Sequence, residues 1–229
     1  DSYGSRGLGD VYKRQDKEYF INSKKGIDLS IRNKFSSSGP VFYNSSHPSK
    51  TPLTDKQFIG DVNRGGSCNA SIVSLNIHCS GTHTECEGHI NNSNVEIVDV
   101  CPLGFTPTLL ISVEPEIINH TDESYHVQCD GDYVITKKSI QEKVQQFHSG
   151  LIIRTIPNEE SKIIRNYDKV RAPFLTNQAI DYIASKGVQH LLVDLPSVDK
   201  ANDEGKLGNH KKFFKYGKTI SELLFIEDW

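Results

Sequence analysis

The sequence predicts an α/β fold folded as a single mixed domain. Helical and extended patterns alternate over residues 136–226, which is the signature of strands joined by helices. Residues 26–114 are richer in strand and loop, and neither an internal repeat nor a linker divides the chain. The 229 residues, 36% hydrophobic and 24% charged, suffice for a buried core and exclude a disordered polymer.

Taken in order, GIDLSIRN (26–33) alternates polar and apolar residues and predicts a strand. Residues 34–66, rich in Ser, Pro, Asn and Gly, are expected to be mostly loop, placed to cover a site. NASIVSLNIH (69–78) alternates again. It sets Ile72, Ser74, Asn76 and His78 on one face and Val73, Leu75 and Ile77 on the other. TPTLLISVE (106–114) reads as a strand buried on both faces. Thr136 is a candidate N-cap for a helix over 136–147, with Ile140, Val144 and Phe147 at helical spacing. GLIIRT (150–155) follows as a buried strand.

The clearest helix spans 175–187: Thr176 caps it, Ala179, Ile180, Ile183 and Ala184 form the apolar stripe, and Gly187 stops it. A strand at 188–195, a short helix at 210–217 and a last strand at 219–226 complete the pattern.

The two ends are set apart. Residues 1–15 lack hydrophobic periodicity and resemble translated adapter sequence, so they are taken as a non-native leader before a domain at 16–229. The chain contains no methionine, and it stops at ELLFIEDW without a polar tail, so a C-terminal truncation is expected.

A net charge of −3 gives no reason to expect nucleic acid or an anionic membrane as partner. No apolar run has the length of a membrane span. Five cysteines, an odd number without a CxxC pair, indicate reduced thiols and a cytoplasmic protein. The Asn-x-Ser/Thr sequons, as at Asn44 and Asn119, are read as chance.

The chemistry concentrates in GTHTECEGHI (81–90). Gly81 and Thr82 suit a turn, and extended chain after it points His83 and Glu85 the same way. One imidazole and one carboxylate on one side form half a site for zinc or manganese, to which His78 or Cys79 can add a ligand. Polar residues of a surface loop are the bland reading. Against it, three of the nine histidines (His78, His83, His89) fall within one short stretch.

This segment resembles the H-x-G-T-H-x-D-x-P-x-H signature of the metal-dependent cyclase-like hydrolase family, which includes bacterial kynurenine formamidases. Gly81, Thr82 and His83 match its G-T-H core and His89 its last histidine; IDLSIRN and LLVDLPSVD resemble further family segments. The resemblance implies metal ligands at His83 and Glu85, a general acid/base at His89, and two downstream ligands at His210 and Glu222. It also implies a mixed curved sheet flanked by helices, the swivelling β/β/α arrangement, and a homodimer or higher homo-oligomer.

The sequence departs from the family pattern in three ways. Strict register puts Cys79 at the first ligand position, with His78 one residue earlier; His78 is preferred because its neighbours on that strand face, Ser74 and Asn76, are polar. Glu85 replaces aspartate and displaces its carboxylate by about one carbon–carbon bond. Gly88, or Glu87 by strict count, stands where the family has proline.

The implied function is hydrolysis of a formamide or amide bond in a small molecule, kynurenine formamidase (arylformamidase)-like, with one or two Zn or Mn ions. Alternatives are a lactone hydrolase or cyclase of the same fold, or a metal-binding domain without turnover.

Other residues read as structural. Cys86 is expected to be a small buried thiol, His120 and His126 parts of a solvated acidic loop, and His190 a satisfied core histidine. Phe213 and Phe214, among lysines, are read as an amphipathic surface element, and the sequence does not decide whether Lys211 or Lys212 steers an anionic substrate.

Overall fold

A computed structural model describes residues 10–14, 17–35, 38–146 and 148–228. In chain order the strands and helices are β1 (Asp10–Arg14), β2 (Lys17–Ile21), β3 (Ser49–Pro52), β4 (Thr54–Asp55), β5 (Phe58–Ile59), β6 (Ser71–Ser74) and β7 (His83–Glu85). Then come α1 (Ile97–Val100), β8 (Thr108–Val113), β9 (Glu116–Ile117), β10 (Tyr133–Ile135), α2 (Lys137–Gln141), β11 (Gly150–Thr155) and β12 (Phe174–Leu175). The chain finishes with α3 (Asn177–Ser185), β13 (His190–Val193), α4 (Gly208–Phe214) and β14 (Thr219–Glu222).

The central sheet runs β7-β14-β13-β11-β8, with β14, β13, β11 and β8 parallel and β7 antiparallel at the edge. This is the mixed α/β architecture predicted. Register explains its core. Leu151 pairs with Leu191 and Leu109, Leu191 with Ile220, and Ile153 with Ile111 and Val193, so alternate residues of neighbouring strands form continuous apolar rows. Ile140 and Val144, Ala179, Ile180 and Ile183, and Phe213 and Phe214 pack onto those rows from α2 and the chain after it, α3 and α4.

Local chemistry sets the helix ends. Thr136 and Thr176 accept hydrogen bonds from the backbone N–H of Ser139 and Ala179, as N-caps do. Gly187, at φ +79°, takes the left-handed turn beyond α3.

A smaller sheet, β12-β10-β9, covers a second cluster of Ile118, Tyr125, Cys129, Val134 and Phe174. No helix among the described residues is long and apolar enough to cross a membrane.

Several expectations are corrected. GIDLSIRN forms no strand run: Ser30 makes an isolated bridge to Leu224, and Leu29 accepts from the Phe225 N–H. The ladder of NASIVSLNIH is confined to β6, paired to β3 from within the expected loop, and Ile72, Val73, Leu75 and Ile77 are all exposed. β8 is an edge strand and leaves Leu110 at 42% exposure rather than buried on both faces. α2 ends at Gln141, and Phe147 lies outside the described residues. Phe213 and Phe214 are fully buried, while Lys211, Lys215 and Tyr216 of that stretch are exposed and Lys212 partly so. Asp10–Arg14, within the expected leader, pairs with β2, which neither supports nor overturns a non-native origin, and residues 1–9 lie outside the described residues.

Candidate metal centre

β7 pairs with β14 so that His83 faces Glu222 and Glu85 faces Ile220. Side chains two residues apart in a strand share a face. His83, Glu85 and Glu222 therefore lie on the face of Ile220, which is the face α4 covers. α4 brings His210 down onto them. Thr82 locks the turn before β7: its hydroxyl donates to the Leu223 carbonyl and accepts from the Ile31 N–H at 2.7 Å.

The polar atoms converge. His210 Nε2 lies 2.6 Å from Glu85 Oε1 and 3.4 Å from Glu222 Oε1. His83 Nε2 is 3.7 Å from Glu222 Oε2 and 3.9 Å from Glu85 Oε2, which also contacts His78 Nδ1 at 3.1 Å and His89 Nε2 at 3.4 Å. Ligand atoms of His78, His83 and Glu85, and of Glu85, His210 and Glu222, each fall within 4.8 Å of one another. Glu85 belongs to both groups.

Three of these atoms, His83 Nε2, Glu85 Oε1 and His210 Nε2, are buried without a hydrogen-bond partner among the described residues. His210 Nε2 and Glu85 Oε1 are close enough, yet the ring N–H direction is wrong for a bond between them. The other nitrogens are committed: His83 Nδ1 contacts the Gly81 carbonyl at 3.0 Å and His210 Nδ1 the Asp199 carboxylate at 2.7 Å. Each imidazole thus turns its remaining nitrogen on the carboxylates. Orphaned buried polar atoms are costly and rare. Imidazoles and carboxylates aimed at common points form a donor set that suits a divalent cation.

The electrostatics follow from burial opposed by charge. Burial raises the Glu85 carboxyl, but its contacts with His210 and His78 overcome that and hold it well below the usual carboxylate range. Glu222 is pushed up by burial, against the pull of His210. Burial alone would lower His210; Asp199, Glu222 and Glu85 more than reverse it. His89 is lowered, chiefly by burial, with the Glu85 charge opposing.

A cavity of about 280 Å³ opens onto the cluster, walled by Phe42, Tyr43, Pro196 and Leu207. Phe42 and Tyr43 come from the 34–66 segment, which does cover the site. Tyr43 and Asn44 sit at φ 53° and 48°, and the Asn44 N–H donates to Asp168 at 2.9 Å. Burial and the Asp203 charge push the Tyr43 hydroxyl up to about 12.

All of the sequence-derived candidates except Cys79 converge here. Cys79 is buried among Phe42, Tyr167 and Leu223, its thiol pushed up by burial, and it belongs to none of the ligand groups among the described residues. Cys86 is a buried thiol directed at the Val95 carbonyl, and His190 is satisfied by Thr219 at 2.7 Å. His120 is exposed as expected.

His126 is not part of a solvated loop. Its Nε2 lies 3.5 Å from Asp203 and 3.9 Å from Asp199, and a Cβ on Gly208 would come within 2.3 Å of its ring. The sequence reading missed Asp199, Tyr43 and Asp203. The LLVDLPSVD stretch contained Asp199, but nothing local tied it to His210.

The 172 residues that align with the kynurenine formamidase of Bacillus cytotoxicus are 24% identical and cover 72% of this chain and 68% of that one. Among solved structures, isatin hydrolase A from Labrenzia aggregata superposes with a TM-score of 0.56 at 15% identity, over 87% of this chain and 79% of that one. A "predicted metal-dependent hydrolase" from Bacillus stearothermophilus gives 0.53 at 18% identity, over 83% and 78%. These likenesses show a common fold. The Cyclase family model, described as "Putative cyclase", matches residues 27–200, and with three quarters of its length so matched this chain belongs to the cyclase family.

Proposed function

We propose that this chain is a metal-dependent hydrolase of small molecules that cleaves a formamide or amide bond, in the manner of an arylformamidase. The observation that supports it most is that three orphaned buried atoms, delivered by β7 and α4, belong to two ligand groups that share Glu85, beside a cavity. His78, His83 and Glu85 would hold one zinc or manganese ion, and Glu85, His210 and Glu222 a second, Glu85 being common to both groups. When bound, such ions polarise a carbonyl and acidify water toward neutrality.

The chain's own residues supply the rest. His89 is partly open to solvent, burial disfavours its charged form, and its Nε2, 3.4 Å from Glu85 Oε2, is placed to take a proton and return it to a leaving amine. Phe42 and Tyr43 give the substrate an apolar wall and shield the site from water. The cavity, near the small end of the range for small-molecule sites, accommodates an acyl group and part of one ring. The kynurenine formamidases among the relatives favour a linear formamide. The isatin hydrolase fold brings in a second reading, a ring amide opened by the same groups.

The test is a panel of N-formyl aryl amines, cyclic amides and lactones, assayed with zinc and with manganese. His89→Ala is expected to keep its metal, by elemental analysis, and to lose about 10²–10⁴-fold in turnover. Retained turnover removes His89 from the reaction. Tight metal with no turnover of any substrate favours a binding domain.

A further inference from the structure

We propose that Asp199 is the positioning residue of the metal centre: it holds His210 so that Nε2, and not Nδ1, faces Glu85 and Glu222. This rests on the metal-site reading above and extends it to a residue outside the ligand set.

Asp199 lies on the loop after β13 and is 3% exposed. Its Oδ2 accepts from His210 Nδ1 at 2.7 Å and from the His210 backbone N–H at 3.1 Å. Its Oδ1 accepts from the Asn209 N–H at 2.9 Å and from the Tyr125 hydroxyl at 2.6 Å. Both oxygens are therefore committed, and each has one backbone and one side-chain donor.

The backbone half of this arrangement replaces a helix cap. The residue before α4, Leu207, has no side chain to cap with and sits at φ 45°. Asp199 caps the helix from across the loop, fixing where His210 starts. The side-chain half fixes the ring. A carboxylate can only accept, so the imidazole must present Nδ1–H to Asp199, and the nitrogen left for a cation is Nε2. That is the nitrogen found buried and unpartnered.

Tyr125 anchors the far end. Burial and the Asp199 charge raise its hydroxyl far above the usual range, so it remains a donor. Its ring packs on Phe174 at 4.6 Å and on His126 at 3.9 Å, and its oxygen accepts from the Lys200 N–H at 2.9 Å. The chain Tyr125–Asp199–His210 thus runs from the second hydrophobic cluster into the metal centre.

The experiment uses Asp199→Asn. Asparagine keeps an oxygen for the backbone N–H groups of α4, but its amide cannot satisfy both those donors and the imidazole N–H. Protein labelled with ¹⁵N-histidine is titrated with zinc and followed by NMR, the His210 signals being assigned by their loss in His210→Gln. Wild type is expected to show an exchange-protected Nδ1–H on His210 with and without zinc. In Asp199→Asn that proton is lost, and zinc binds about 10–100-fold more weakly.

A zinc affinity within twofold of wild type, or a surviving protected Nδ1–H, overturns the proposal. Wild type that takes up no zinc removes the metal reading instead, and with it the positioning role. Should Asp199→Asn fail to fold, the wild-type spectrum decides: a His210 protonated only at Nε2 in the zinc-free protein contradicts the assignment, and a protected Nδ1–H supports it. A merely structural role would shift the melting temperature without moving that proton.

Discussion

Two buried charged clusters sit at the carboxyl ends of strands in one sheet, and their hydrogen bonding differs. At the ends of β11 and β13, Lys162 Nζ contacts Asp194 at 2.6 Å, the Thr155 hydroxyl at 2.9 Å, the Asn158 side-chain oxygen at 3.1 Å and the Thr155 carbonyl at 3.2 Å. Asp194 accepts in addition from the Thr155 N–H at 2.9 Å. Neither charged atom of the pair is left without a partner. At the end of β14, by contrast, the histidine and glutamate cluster leaves His83 Nε2, Glu85 Oε1 and His210 Nε2 open. A satisfied buried cluster specifies structure, while one with orphaned donor atoms waits for a ligand.

The largest expected effect breaks the satisfied cluster. Lys162→Met keeps the length of the side chain and leaves the Asp194 carboxylate buried without its cation. Urea unfolding is expected to show a loss of about 3–5 kcal/mol. Zinc uptake by the molecules that remain folded should be unchanged, because no atom of Lys162 reaches the metal centre. A loss below about 1 kcal/mol would mean that the ion pair offsets its own desolvation and that the two clusters differ less than their hydrogen bonds suggest.

The next effect sharpens the comparison from the other side. A site that waits for a cation gains stability when given one. Zinc at a hundredfold excess over its dissociation constant is expected to stabilise the native protein by about 2.7 kcal/mol. Calorimetry with and without zinc measures this directly. An unchanged melting temperature at millimolar zinc would place the orphaned atoms outside any cation site.

The same contrast explains what could be read from the sequence. α3 was legible down to its cap because Thr176, the stripe of Ala179, Ile180 and Ile183, and Gly187 are all local signals. β11 was legible because a buried parallel strand is a continuous apolar run. GIDLSIRN misled because alternation says nothing about which edge is free: β7 already occupies the flank of β14, so the segment bonds beyond that strand, at Leu224 and Phe225, and to Thr82 in the turn before β7. Phe213 and Phe214 misled because the lysines beside them describe only the solvent face of α4.

Within the site, His83, Glu85 and His89 were readable as a cluster and as a family motif. Packing, not spacing, separates Cys79 from His78: the thiol joins Phe42 and Leu223 while the imidazole meets Glu85. Asp199 was not readable, because its hydrogen bonds depend on how the loop between β13 and α4 closes.

The smallest expected effect is the most discriminating. Glu222 is buried, and burial raises its carboxyl, so its negative charge is disfavoured in the folded protein when no cation is bound. Its Oε1 accepts from the Val198 N–H at 2.7 Å, a bond that glutamine can keep. Glu222→Gln therefore removes a charge without removing the acceptor. In the zinc-free protein its stability is expected to equal wild type or exceed it by up to about 1 kcal/mol, as when a functional residue is exchanged for a quieter one. With zinc present, the stabilisation seen in wild type should shrink sharply. If Glu222→Gln instead destabilises the zinc-free protein as severely as Lys162→Met, the carboxylate is a structural partner of His210, and the two clusters are of one kind.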